Sequence, residues 1–294
     1  MNFFSKLKKK VFSLPNIYQN HGLDGVYFSL LRNLGFKSKY LSILDKKKEI
    51  LEKEIINYTK KFIINGPYQN TLLNCKSNWS GNDWSSKLLG IYEEQVQNKI
   101  IEVQKKFSLE NIVNFGASDG YHLIGLIKNK IFQKGIGFEI DQVSREYLID
   151  NIKKNNLKDN IYVESEANFK KVEQYLSPDQ LIKTIFLIDI EGEEFNLINS
   201  HNLNYYKNSL LLIENHEFLV SDNKKIDEFF NHLNQNFEVE KIENSSRNPY
   251  QFSFMDKFSD DERWLLMSEG REQNMNWLLC TPKDRTELFD KTNI

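Results

Sequence analysis

Cysteine is scarce: Cys75 and Cys280 are the only two in 294 residues. Two thiols so far apart build neither a disulfide framework nor a C-x-x-C metal site, and a reducing cytoplasm is the expected compartment. Long apolar runs are missing too. No stretch approaches the ~18 apolar residues of a spanning helix. The first residues carry Lys6, Lys8, Lys9 and Lys10 but no h-region and no small-residue cleavage site, so a secretory leader is not expected. Net charge is only −2. The sequence shows no internal repeat and no nucleic-acid-binding module.

What is present is uneven. Residues 1–65 carry 13 Lys/Arg against 5 Asp/Glu, and the remainder carries 26 against 36. The acidic larger part argues against a long phosphate footprint, so nucleic acid is not an expected partner. The basic arm could dock on its own domain or meet an anionic lipid surface. Residues 1–14 place Phe3, Phe4, Leu7, Val11 and Phe12 on one helical face with lysines between, which suits either a peripheral membrane contact or a terminal helix packed on the domain. Pro15 ends that helix. Residues 23–34 and 41–63 read as further helices, the second with a stripe of Leu44, Leu51, Ile55, Tyr58 and Phe62 that should pack on the main domain. These elements make a helical extension over 1–70, with the main domain from 71 to 294 and the boundary within 66–85. Trp79 and Trp84 lie in a polar loop, a placement that usually covers something apolar. Residues 87–94 lead into a helix running through Ile101 and Val103.

The stretch from Asn111 to Gly120 organises the rest. Ile112, Val113 and Phe115 make a short buried strand, and Gly116-Ala-Ser-Asp-Gly120 makes a tight turn. Leu123, Ile124, Leu126, Ile127 and Ile131 then fall at helical spacing. A strand, a glycine turn and a helix gather backbone N–H groups and a helix N-terminus at one point, which can receive a polar or anionic ligand. A second strand, 135–139, ends in Glu139, about 20 residues on, placed to accept hydrogen bonds from ribose hydroxyls. The turn lacks the G-x-G-x-x-G spacing of dinucleotide binders.

Alternation continues: a helix at 142–155, strands at 160–164 and 184–189, a short helix at 193–200, a strand at 210–214 and a helix at 222–236. The strands at 184–189 and 210–214 are continuous apolar runs, as parallel strands covered on both faces should be. Residues 237–242 and 276–281 close the chain as two more strands, with a loop-plus-helix insertion at about 245–273 between them. The whole predicts an α/β, doubly wound, Rossmann-like seven-stranded sheet with helices on both faces.

Gly116-x-x-x-Gly120 with Asp119 before the second glycine resembles motif I of class I S-adenosylmethionine methyltransferases. With Gly137-Phe-Glu139, Asp189-Ile-Glu-Gly-Glu-Glu194 and Glu214-Asn-His216 in order, residues 112–217 look like the FkbM-type methyltransferase family. A final antiparallel strand pair also fits that fold. The resemblance implies S-adenosylmethionine as cofactor and O-methylation of a sugar, glycoconjugate or other small molecule. It implies that Gly116, Ala117, Ser118, Asp119 and Gly120 line the cofactor and that Glu139 holds its ribose. Glu166 and Ala167 would stand at adenine, and Asp189 beside the methionine end. Ile140-Asp141 departs from the family's usual turn without disturbing Glu139. A protein or peptide N-methyltransferase and a non-catalytic binding subunit are the rival functions.

Asp189 and Glu191 are two apart, as are Glu214 and His216, so each pair can project from one side of its strand. On neighbouring strands the four would form a catalytic cluster. His216 or Asp189 would take the acceptor's proton, or Asp189, Glu214 and His216 would hold Mg²⁺ or Mn²⁺. His122 reads as a first-turn helix residue. Arg247, Arg271 and Trp264 of the insertion would either grip an acceptor or form surface salt bridges and packing.

Overall fold

The computed structural model of the chain describes residues 43–75, 83–271 and 274–285. The helices expected at 1–14 and 23–34, and Trp79, lie outside the described residues. The chain divides into two compact units, residues 1–50 and 51–294. Of the first, the described residues belong to the start of the helix Ile43–Thr59. Everything below concerns the second.

Seven strands form one sheet: β1 (Asn111–Phe115), β2 (Lys134–Phe138), β3 (Ile161–Glu164), β4 (Thr184–Ile188), β5 (Leu210–Glu214), β6 (Phe237–Ile242) and β7 (Trp277–Pro282). Their order is β3-β2-β1-β4-β5-β7-β6. The first five are parallel, and β7 runs antiparallel to both β5 and β6. This is the expected class I methyltransferase sheet.

The two-residue period of the strands sorts the core into halves. Ile112, Ile185, Leu187, Leu210 and Leu212 pack on one face with the helices Glu94–Phe107 and Tyr121–Lys128. Val113, Phe115, Phe186, Ile188, Leu211 and Ile213 pack on the other, with the helix Asn223–Asn236. Every residue of β1, β4 and β5 is buried, which is why their sequences are almost unbroken apolar runs.

The register positions the site. Phe115 pairs with Phe138 and with Ile188, and Ile188 pairs with Ile213. One residue further on, Glu139, Gly116, Asp189 and Glu214 therefore leave the sheet side by side. Glu214 pairs in turn with Trp277 of β7. All lie at the carboxyl edge of the parallel strands, where the order reverses between β1 and β4, the place where open α/β sheets bind ligands.

Ile63 and Tyr68, assigned above to the extension, have no exposed surface and belong to this unit's core. The stripe expected at 41–63 holds only in part. Leu51 and Ile55 are buried, but Tyr58 and Phe62 are exposed. The helix ends at Thr59, and Lys60 and Lys61 turn with positive φ, so Phe62 no longer shares the helical period. Tyr58 stacks on Phe254 of the insertion, ring centroids 4.0 Å apart.

Between β3 and β4 stand two helices the pattern did not suggest, Phe169–Val172 and Pro178–Ile182, too short to show a period. The second is set by a capping box between Ser177 and Gln180. The insertion holds a 3₁₀ turn, Ser253–Lys257, and the helix Asp260–Met267, which anchor Met255, Leu266 and Met267 in the core.

Candidate active site

Gly116 carries φ +80°, and a Cβ there would stand 1.7 Å from the Asp189 carbonyl oxygen. Only glycine lets the chain leave β1 so close to the end of β4. The Gly116 and Ala117 N–H groups both donate to the Phe138 carbonyl, at 2.9 and 2.8 Å. Gly120, φ +89°, then opens the helix Tyr121–Lys128.

Glu139 closes the turn from the second strand. Its Oε2 accepts the Ser118 N–H at 2.7 Å and its Oε1 accepts the Asp141 N–H at 2.8 Å. Burial pushes its carboxyl up, and the two backbone donors pull it back. Each oxygen keeps a free lone pair, so the carboxylate can still accept from two neighbouring hydroxyls. Asp141, in the turn that departs from the family pattern, caps the next helix by accepting the Ser144 N–H at 2.8 Å.

A cavity of about 870 Å³ opens along this edge. Gly116 to Asp119 line it, with Glu139 and Ile140 after β2 and Glu166 and Ala167 after β3. Asp189 and Glu191, after β4, line it too, as do Lys87, Tyr92, His122 and Trp277. A cavity of this size suits a nucleoside-sized ligand together with a second small molecule.

The four residues expected to cluster do come together. His216, with 1% of its side chain exposed, is held at Nδ1 by Glu194 at 3.1 Å. Its Nε2 is 3.3 Å from Glu214 Oε2 and 3.7 Å from both Asp189 Oδ1 and Glu191 Oε2. Asp189 and Glu191 face the cavity, and His216 lies behind them. Burial opposes the imidazolium, but Glu194, Glu214 and Asp189 outweigh it and raise His216 to about 11. Burial likewise opposes the Glu214 charge, yet His216 and Arg271 hold its carboxyl down at about 2. Burial and the Glu214 charge push Asp189 well above the usual carboxylate range. The surrounding carboxylates favour the charged imidazole of His216, and Asp189 is the carboxylate that meets both His216 and the cavity.

The same atoms fit a cation. One donor atom each from Asp189, Glu214 and His216 lie within 4.8 Å of one another. Asp189 Oδ1 is buried without a hydrogen-bond partner. Glu194 orients the imidazole as an outer carboxylate orients a metal-binding histidine.

Several residues at the site carried no site role in the sequence reading. Glu93, in a left-handed conformation (φ +48°), lies between the helices Trp84–Leu88 and Glu94–Phe107. Its carboxylate meets His122 Nε2 at 2.7 Å and Arg271. Arg271 also reaches Glu214 and, at 2.7 Å, Glu269, which pairs in turn with Arg247. Arg247 and Arg271 of the insertion are therefore engaged in ion pairs with buried carboxylates, and Trp264 is 51% exposed on the surface. His122, read as a first-turn residue, is one, and it also lines the cavity. Nothing local in the sequence marks Glu93 as the partner of His122 and Arg271, or Glu194 as the partner of His216.

Lys87 forms another buried centre. Its Nζ lies 2.9 Å from Asp83 Oδ2 and 3.1 Å from Asp119 Oδ2. Burial works against its charge, but Asp119 and Asp83 hold it above its ordinary value. The rings of Trp84 and Tyr92 each stand 5.2 Å from the ammonium.

No protein-family model and no curated protein sequence matches the chain. Solved structures resemble it at low identity. An O-methyltransferase from Bacillus cereus, in complex with SAH, is 11% identical with a TM-score of 0.48 and covers 79% of this chain and 90% of its own. A putative O-methyltransferase from Klebsiella pneumoniae is 8% identical with a TM-score of 0.47, covering 79% and 89%. A tRNA methyltransferase from Bacillus subtilis is 10% identical with a TM-score of 0.43, covering 68% and 70%. The fold assignment rests on strand order and direction.

Proposed function

We propose that this chain is an S-adenosylmethionine-dependent methyltransferase of the FkbM type, acting on a hydroxyl of a sugar or glycoconjugate. One observation carries the reading. Glu139 leaves β2 beside the glycine turn with its two carboxylate oxygens each held by one backbone N–H, and each is still able to accept a hydroxyl. That arrangement reads a ribose in a cavity large enough for cofactor and acceptor.

The cofactor, when bound, supplies a methyl group already activated by its sulfonium. The chain's work is then to align an acceptor, exclude water and take one proton. Positioning of this kind is worth up to ~7–11 kcal/mol of a barrier. Asp189 would take the acceptor's proton at a carboxylate oxygen, and His216 would hold Glu214 and steady the charge behind it. The rim residues Glu191, Glu193, Asn196 and Asn202 offer hydrogen-bond acceptors and amides, and their charge disfavours an anionic substrate. Those groups suit a polyhydroxyl acceptor. Where Mg²⁺ or Mn²⁺ is used, Asp189, Glu214 and His216 would hold it, and it would lower the acceptor hydroxyl's pKa.

Calorimetry with S-adenosylhomocysteine and with NAD tests the cofactor. The expected result is binding of the first in preference to the second, and the reverse preference sinks the reading. Transfer of labelled methyl groups to a panel of neutral glycans, peptides and phosphorylated sugars then tests the acceptor, with label expected on neutral glycans.

A further inference from the structure

The Asp83–Lys87–Asp119 wall of the cavity has no part in the reading above. Asp83 is 2% exposed and Lys87 5%. Asp83 occupies the N-cap position of the helix Trp84–Leu88, yet its side chain makes no capping bond. Its Oδ2 is on Lys87, and its Oδ1 is buried with no hydrogen-bond partner. An unpaired carboxylate oxygen at that depth is costly unless a donor reaches it. Lys87 has three N–H groups, and two meet Asp83 and Asp119. Asp119, by comparison, has both oxygens engaged: Oδ2 on Lys87 and Oδ1 accepting the Tyr121 N–H at 3.1 Å.

The wall thus offers an unfilled acceptor and an unfilled donor side by side, on a background of one cation and two anions. A lone phosphate would be repelled by both aspartates. A lone ammonium would satisfy Asp83 and leave the lysine's third N–H unused. A neutral hydroxyl would leave the excess negative charge uncompensated. A group carrying an ammonium and a carboxylate on one carbon fills both vacancies. We propose that Asp83 and Lys87 bind the α-amino-acid end of the cofactor, the ammonium on Asp83 Oδ1 and the carboxylate on Lys87 Nζ, with Asp119 holding the lysine in place. This inference rests on the methyltransferase reading. The position agrees with it: Asp119 follows Ser118, whose N–H holds Glu139, so the ribose and amino-acid ends of one ligand would flank the same turn.

Two ligands separate the amino-acid end from the rest. S-adenosylhomocysteine has it, and 5′-methylthioadenosine has the same nucleoside and thioether without it. Calorimetry on Asp83→Asn and Lys87→Met should show S-adenosylhomocysteine weakened by roughly 10- to 100-fold, the loss of one charge-assisted bond, with 5′-methylthioadenosine unchanged. Thermal melting checks that each variant folds. Should Lys87→Met fail to fold, the nearly isosteric Asp83→Asn decides. Equal loss for both ligands would show a purely structural triad and overturn the proposal. Unchanged S-adenosylhomocysteine affinity with lost turnover would move the pair to the acceptor and also overturn it. If the unaltered chain binds neither ligand, the methyltransferase reading itself falls; if it binds both and the variants do not discriminate, only this inference does.

Discussion

Glu139 and Ser118, 21 residues apart, are joined by a 2.7 Å hydrogen bond from the Ser118 N–H to the Glu139 carboxylate. The end of the second strand thereby holds the turn that follows the first. The same carboxylate is the group placed to read a ribose, so one side chain serves the shape of the site and its ligand. Glu139→Ala should weaken S-adenosylhomocysteine by roughly 2–5 kcal/mol, the value of two charge-assisted hydrogen bonds. Calorimetry reads this directly, and affinity equal to that of the unaltered chain would remove Glu139 from the cofactor site.

Gly116→Ala places a methyl group where the Asp189 carbonyl oxygen already stands, at a φ of +80°. Strain and clash together should destabilise the fold by at least about 2 kcal/mol. Denaturant unfolding should show a lower midpoint with the slope unchanged. An unshifted midpoint would mean that β1 and β4 can separate at that edge.

Arg271 pairs with Glu93, Glu214 and Glu269, each with no more than 4% of its side chain exposed. Arg271→Met leaves three buried carboxylates facing one another and should cost roughly 3–5 kcal/mol. Adding Glu93→Gln should restore part of that, because one stranded charge is removed. Additive losses in the double variant would show that the pair is not coupled.

His216→Ala should reduce turnover while leaving cofactor affinity nearly intact, since its contacts are to Glu194, Glu214, Asp189 and Glu191 rather than to the glycine turn. A chelator that abolishes activity, restored by Mg²⁺ or Mn²⁺, would assign Asp189, Glu214 and His216 to a cation. Activity indifferent to the chelator would leave Asp189 as base. Turnover unchanged in His216→Ala would remove the cluster from the chemistry.

The strands β4 and β5 were readable as apolar runs, β2 as a short one, and the run's end names the residue that emerges at the sheet edge. Phe138, Ile188 and Ile213 are last apolar residues, and Glu139, Asp189 and Glu214 follow them. In a parallel sheet such ends meet along one edge whatever the loops do, so that part of the site could be placed from sequence. The helices Phe169–Val172 and Pro178–Ile182 escaped because four or five residues cannot display a 3.6-residue period. Tyr58 and Phe62 misled for the opposite reason: the helical stripe continued on paper after the helix had ended at Thr59.

The amino-acid sequence by itself determined the sheet, its alternating helices, the glycine turn and the carboxylates at the strand ends, because these follow from local hydrophobic patterning and backbone conformation. Beyond the cluster at the ends of β4 and β5, tertiary structure alone decided which charges meet. Arg271 finds Glu93 across 178 residues, Glu194 finds His216 across 22, and Lys87 finds Asp119 across 32. No local pattern encodes such pairings. They form because the core brings separate elements to one edge, where each buried charge must be matched by whatever group the neighbouring element carries.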